Sequence, residues 1–346
     1  MRNRFRVLTL FGLLAGSGGC FTDCDKNPLN PSGYSRSGPE IWIHPNVGSY
    51  DLADMFTSLE QWPEARSAIT TFQFFEQNVL PSPCRECGPN TLNKLVSVDA
   101  FRKLDQWGKG VSFEGGAVKS GAHGCDQSIY HLADDAIGAI RSIISNGGTV
   151  TSISMDWPFG GGDECGYTPE RTAELVAEYI RMVKRVAPDV EIGDIQGYPA
   201  YTPERIEQNV NALINAGADL PFLHIDFDRY GVQRPGPDAA NSYGYDVAWD
   251  MRRIRSFLRS KRIKMGLIVW GEEGASSERF SSDAILQARL ALGVLGGDID
   301  RLIFESWSPV SMSPADVARK VYPLNLPETE PGRLTYNLNL EARRYR

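Results

Sequence analysis

The chain has 346 residues, 42% of them hydrophobic and 23% charged, which is enough apolar material for a large buried core. A formal net charge of -7 argues against nucleic acid or an anionic membrane surface as the main partner, because both recruit clustered Lys and Arg. The surplus of acid serves solubility first.

Residues 1–19 have the pattern of an export signal: Arg2, Arg4 and Arg6, an apolar run from Val7 to Ala15, then the small residues up to Gly19. The apolar run is too short to span a bilayer. Cys20 follows Ser17-Gly18-Gly19 and resembles a bacterial lipoprotein acceptor. Two outcomes stand: a lipid on Cys20, the one route to membrane attachment, or simple cleavage nearby. In both, the mature chain works outside the cytoplasm, as a periplasmic, cell-surface or secreted protein. Residues 20–39, rich in Pro, Ser, Asn and Gly, read as a tether or irregular lead-in.

The folded part opens with a strand at Ile41-Trp42-Ile43-His44 and a helix from Leu52 to Ala68. A second strand runs from Thr70 to Glu76, followed by a helix from Leu92 to Trp107. The third strand closes at Glu114, with its helix from Ile129 to Ile144. The fourth is Ser152 to Asp156; Thr168 as N-cap and Pro169 in the first turn open its helix. Val190 to Gln196 is the fifth strand, with Thr202-Pro203 opening the next helix in the same way. Phe222 to Asp228, Lys264 to Trp270 and Arg301 to Ser306 are the last three strands. Their helices span Asp246 to Ser260, Ser282 to Leu295 and Pro314 to Val321.

Eight βα alternations are the count that closes a single (β/α)8 TIM barrel over residues 40–322, with residues 323–346 as an extended wrap packed on it. An open doubly wound sheet would not need eight, and no Gly-rich phosphate fingerprint follows the first strand. Gly160-Gly161-Gly162 reads as a flexible turn. In an oxidising compartment the cysteines favour disulfides. Cys84, Cys87, Cys125 and Cys165 fall after the second, third and fourth strands and can staple three neighbouring loops. Cys84-Arg-Glu-Cys87 also has zinc-ligand spacing, although no second such pair follows.

Side chains alternate along a strand, so parity decides which polar groups share the mouth. His224, Asp226 and Asp228 alternate with Ile225 and Phe227; Ser152, Ser154 and Asp156 alternate with Ile153 and Met155. Asp194, Gln196 and Tyr198 share one parity, Glu305 and Trp307 another, and the first strand offers Trp42 and His44. Glu114 ends the third strand, and Glu272 and Glu273 follow the seventh. Any one of these acids alone reads as a helix cap or a solvated residue, as Asp51, Glu60, Asp163 and Glu164 do. Acids from five strands aimed at one mouth would repel each other without a ligand or a proton to relieve them, so function explains the set better. Trp42, Trp157, Tyr198, Tyr230, Trp270 and Trp307 lie at or just past strand ends, where aromatic faces beside carboxylates suit a sugar.

In these paired carboxylates at strand ends the chain resembles the TIM-barrel glycoside hydrolases. That resemblance implies an acid/base at the end of the fourth strand, where this chain has Met155-Asp156-Trp157-Pro158, and a nucleophile at the end of the seventh, Glu272 or Glu273. The Asp226-Phe227-Asp228 run is similar to barrel glycosidases with catalytic aspartates on the fourth and sixth strands, which makes Asp156 with Asp226 a competing pair. Trp42, His44, Glu114, Trp157, Asp194, Gln196, Tyr198, His224, Asp228, Tyr230, Trp270, Glu273, Glu305 and Trp307 are the expected substrate-binding residues. The reading is an exported hydrolase of oligo- or polysaccharide that needs no cofactor. Two alternatives remain: a divalent-metal hydrolase or isomerase using His224, Asp226, Glu114, Asp156 and Asp194, and a barrel that binds glycan without cleaving it.

Overall fold

Short runs rich in β-branched and aromatic residues alternate with amphipathic stretches along the chain, and each run becomes a strand. The computed structural model describes residues 38–82, 84, 87–119, 124–125, 128–228, 246–271, 277–306 and 323–345. The strands are β1 (Glu40–His44), β2 (Thr71–Phe75), β3 (Gly110–Gly115), β4 (Val150–Met155), β5 (Glu191–Tyr198), β6 (Phe222–Phe227), β7 (Lys264–Val269) and β8 (Arg301–Glu305). Each pairs in parallel with the next, and β8 pairs with β1 through His44 opposite Glu305, so the sheet closes into the expected eight-stranded barrel. The predicted export signal, most of the lead-in and the short helix expected at 314–321 lie outside the described residues.

The helices are α1 (Pro63–Ala68), α2 (Glu76–Val79), α3 (Leu92–Ser97), α4 (Ala100–Gln106), α5 (Ser128–Ser145), α6 (Pro158–Glu164), α7 (Pro169–Lys184), α8 (Pro203–Asn215), α9 (Val247–Ser260), α10 (Ser277–Leu295) and α11 (Leu334–Ala342). The N-caps of α7 and α8 form as their sequences predict: Thr168 and Thr202 hydroxyls accept from the backbone N–H of Arg171 and Arg205. No helix among the described residues is long and apolar enough to cross a membrane.

The main core lies between sheet and helices, where Phe72, Phe74, Phe113, Ile153, Met155 and Leu223 are buried. A smaller apolar cluster of Trp42, Ile195, Ile268, Trp270 and Ile303 fills the barrel interior. Burying a large apolar side chain contributes roughly 1.5–3 kcal/mol, so both layers are needed to offset the ordering of a chain this long. Below the inner cluster, Arg301 plugs the end of the barrel opposite the mouth. Its guanidinium donates to Glu40 at 2.9 Å and Glu191 at 2.7 Å, and stacks over Trp42 and Phe222 at 4.6 and 4.4 Å.

The tail departs from the expected extended wrap. Residues 334–342 form α11, which packs against α1 and α10. Its lead-in is pinned by Asp51, whose carboxylate accepts from the backbone N–H of Asn325 and Leu326 and from the Asn325 side chain. Glu328 in turn accepts from the N–H groups of Glu64 and Ala65 and so caps α1. Asp51 is therefore structural, as its position in the sequence suggests.

The glycine triplet is not a flexible turn. It lies in α6, and each residue is pressed by a neighbour: a Cβ would stand 2.0 Å from the Trp157 ring at Gly160, 2.0 Å from the Val118 carbonyl at Gly161 and 2.1 Å from Thr172 at Gly162. Close packing selects glycine there. The cysteines pair as Cys84–Cys87 and Cys125–Cys165. The second pair ties the segment after β3 to the end of α6, while the first closes only its own loop, so two loops are stapled together and not three. With each sulfur of Cys84 and Cys87 bonded to the other, neither is a zinc thiolate.

Candidate active site at the barrel mouth

The inward positions follow from strand parity. On β1 they are Glu40, Trp42 and His44; on β6, Phe222, His224 and Asp226; on β8, Arg301, Ile303 and Glu305. Depth along the strand then separates core from site. Trp42 and His224 lie in the middle layer, with ring centroids 5.1 Å apart at 88°, and His224 also stacks on Phe222 at 4.5 Å. Neither ring nitrogen of His224 has a hydrogen-bond partner among the described residues, and burial holds its pKa well below the usual imidazole value. Both residues are core, not the mouth residues their parity implied. They sit too early in their strands to reach the mouth, and Gly266 beside His224 leaves just enough room for the imidazole.

The β5 assignment is also corrected. Its inward residues are Glu191, Gly193, Ile195 and Gly197, and the glycines admit the rings of Phe222 and Trp157. Asp194, Gln196 and Tyr198 therefore face the helices. Gln196 donates to Asp194 at 2.7 Å and accepts from Asn209 of α8 at 3.1 Å, and the Tyr198 hydroxyl donates to Asp250 of α9. Burial pushes the Asp194 carboxyl up to about 8. A polar alternation pointed outward because polar helix residues were waiting to meet it.

The mouth is built from the remaining strand ends. Asp226 is set back but reached by solvent, and Trp270 Nε1 donates to its Oδ1 at 2.8 Å. Burial first, and then the carboxylates of Asp156 and Asp228, push Asp226 up to about 7. Asp156 is more open, with 43% of its side chain exposed, and Lys119 Nζ stands 2.6 Å from its Oδ2. Trp157 adopts a left-handed conformation with φ 44° as the N-cap of α6, which lays its ring against Gly197 and lets its indole N–H donate to Tyr201. Asp228 follows β6 at the same rim, its backbone N–H donating to Tyr198.

Behind this pair lies a more enclosed group. His44 Nδ1 is 3.2 Å from Glu305 Oε2 and 3.7 Å from Glu114 Oε2. Gln73 sends its Nε2 to within 3.2 Å of the same Nδ1 and 3.5 Å of Glu114, while Ser112 and Ser154 hydroxyls donate to its Oε1. Burial holds His44 down to about 4 and raises both glutamates well above the ordinary carboxylate range, each also feeling neighbouring acids. The imidazole is therefore neutral at pH 7, facing two carboxyls.

The metal set expected from the sequence is not assembled, since His224 lies in the core and Asp194 faces the helices. Glu272, Glu273, Tyr230 and Trp307 lie outside the described residues. Two site residues had no signal to reveal them. Lys119 sits in a loop without periodicity, and Gln73 is one polar residue in an aromatic strand.

No protein-family model matches the chain, and no curated protein sequence matches it. Among solved structures, it is similar to the second active domain of a chitinase from Pyrococcus furiosus, with 15% identity over 89% of this chain and 97% of that one and a TM-score of 0.49. It is similar to D-psicose 3-epimerase from Clostridium cellulolyticum at 11% identity, 88% and 98% coverage and a TM-score of 0.47. A 3-keto-D-glucoside 4-epimerase from E. coli is similar at 10% identity, 81% and 96% coverage and a TM-score of 0.45. At such identities and scores, none of these likenesses bears on the chemistry of the mouth.

Proposed function

We propose that the chain is an exported hydrolase of glycosidic bonds, with Asp226 as the protonated acid and Asp156 as the carboxylate opposite it. The observation that carries this reading is the contrast between two carboxyls of one mouth. Asp226, under the Trp270 indole, is pushed to about 7, and Asp156 is solvent-reached and paired with the Lys119 ammonium. A carboxyl held up to about 7 keeps a proton to donate near neutral pH, and the open carboxyl beside Lys119 stands as its partner across the mouth. These roles exchange the sequence expectation, in which Asp156 was the first choice for the acid. Trp157 at the rim gives an apolar face of the kind a sugar ring packs on beside its hydroxyl acceptors, while Trp270, buried in the inner cluster, serves through its indole N–H to Asp226. Export is supported by the basic and apolar N-terminus together with two disulfides, which persist in oxidising compartments.

The test is product release from a panel of oligo- and polysaccharides. Asp156→Asn and Asp226→Asn should each abolish turnover while leaving sugar binding measurable by calorimetry. The same panel run with Glu272→Gln and Glu273→Gln reads whether the segment after β7 supplies the nucleophile instead of Asp156. A wild-type chain that binds sugars and releases no product would overturn the hydrolase reading in favour of a binding barrel.

A further inference from the structure

We infer that His44, Glu114 and Glu305 form a binding site for one divalent transition-metal cation on the floor of the mouth. The three come from β1, β3 and β8, and each offers one ligand atom, His44 Nδ1 or a carboxylate oxygen, with all three atoms within 4.8 Å of one another. The His44–Glu305 and His44–Glu114 edges of 3.2 and 3.7 Å are close to those required, because metal–ligand bonds of about 2.0–2.2 Å set ligand–ligand distances of roughly 3–3.6 Å. One imidazole and two carboxylates suit Mn2+ or Zn2+ better than Mg2+ or Ca2+, which favour all-oxygen sets. The side facing the mouth is left for water or substrate.

A cluster of acids alone would not justify a site; the hydrogen bonding does. The Glu305 side chain is 5% exposed, and its Oε2 has no hydrogen-bond partner among the described residues although it points at His44. With Gln73 Nε2 donating to His44 Nδ1, the imidazole presents a lone pair on that side. Two acceptors then face each other at 3.2 Å, with the Glu114 oxygen close by, an arrangement that needs a positive species between them. A proton can serve one such pair. A cation serves all three at once, taking the Nδ1 lone pair from Gln73 and leaving that amide to donate to Glu114 as an outer partner. The geometry is already fixed: His44 is fully buried with its ring centroid 4.1 Å from Phe75, and β1 and β8 place His44 directly opposite Glu305.

This inference does not rest on the hydrolase reading, and its test needs no sugar. Tag-free, full-length chain is stripped with chelator and titrated with MnCl2, with free Mn2+ followed by its EPR signal, and then with ZnCl2 by calorimetry. The expected result is one equivalent of cation per chain, with 14N coupling from a single imidazole in pulsed EPR of the Mn2+ form. Glu305→Gln and Glu114→Gln, which keep the side-chain shape, should each weaken binding at least tenfold with an unchanged far-UV circular dichroism spectrum. Absence of uptake at millimolar Mn2+ and Zn2+, uptake without nitrogen coupling, or wild-type affinity retained in both variants would each overturn the site. The wild-type EPR result decides the matter even where a variant fails to fold.

Discussion

Replacing Asp194 by Asn tests whether β5 turns its polar face to the helices. The buried carboxyl titrates at about 8, against 3.8 for an unperturbed one. Between those values the unfolded chain is ionised at this position and the folded chain is not, so the folded state holds the extra proton. For a raised carboxyl the contribution is fully present below about 4 and is lost as pH rises towards 8. At about 1.4 kcal/mol per unit, the loss sums to on the order of 5 kcal/mol across that window. Asn keeps the shape and the bond from Gln196 but carries no titrating proton, and its second amide hydrogen lacks a partner, which costs about 1 kcal/mol. The variant should therefore be about as stable as wild type at pH 4.5, where wild type has already lost about 1 kcal/mol, and more stable by several kcal/mol at pH 8. Guanidinium denaturation of both chains across pH 4.5–8.5 measures the difference, and taking that difference cancels the other raised carboxyls, among them Glu76, Glu114, Asp226 and Glu305. A stability difference that stays flat with pH would refute the buried, neutral Asp194. Lost sugar binding at unchanged stability would return the residue to the mouth.

Gly193→Ala should destabilise by about 1–3 kcal/mol or more in denaturant melts, since its Cβ would stand 2.2 Å from the Phe222 ring; Gly197→Ala, 2.8 Å from the tip of Trp157, should cost less. Equal stability of Gly193→Ala and wild type would contradict the inward face assigned to β5. If Asp226 is the acid, hydrolysis should fall as pH rises through about 7, where it loses its proton. Trp270→Phe, which removes a bond favouring the charged form, should move that alkaline limb upward, and an unmoved limb would point to another acid. Cys125→Ser with Cys165→Ser opens a loop with a sequence separation of 40 and should cost about 4 kcal/mol on chain entropy, read as a lower denaturant midpoint.

The barrel was legible because eight runs with strand chemistry alternate with amphipathic helices, and two of those helices announce themselves with Thr-Pro starts. Parity worked on β4, β6 and β8, where the opposite face is apolar and only one orientation buries it. It failed on β5, where beyond Glu191 at the strand start the inner face is Gly-Ile-Gly and carries no polar signal towards the mouth. Its outer face is polar because Asn209 and Asp250 of the surrounding helices complete the bonding. Parity also carries no depth: Trp42 and His224 point inward as expected, yet lie one layer below the site. The mouth itself was partly visible in Asp156, Asp226, Glu114 and Glu305. Gln73, which binds His44 to Glu114, and Lys119, which faces Asp156, became recognisable only through contacts distant in sequence.

Arg301 and the apolar cluster above it close the barrel from its lower end up to the mouth. Glu40 and Glu191 hold the guanidinium from below while Trp42 and Phe222 cover it from above. The interior is a packed core and not a pore, so any ligand of the strand-end residues has only the mouth to approach. Binding and departure at that end share one path.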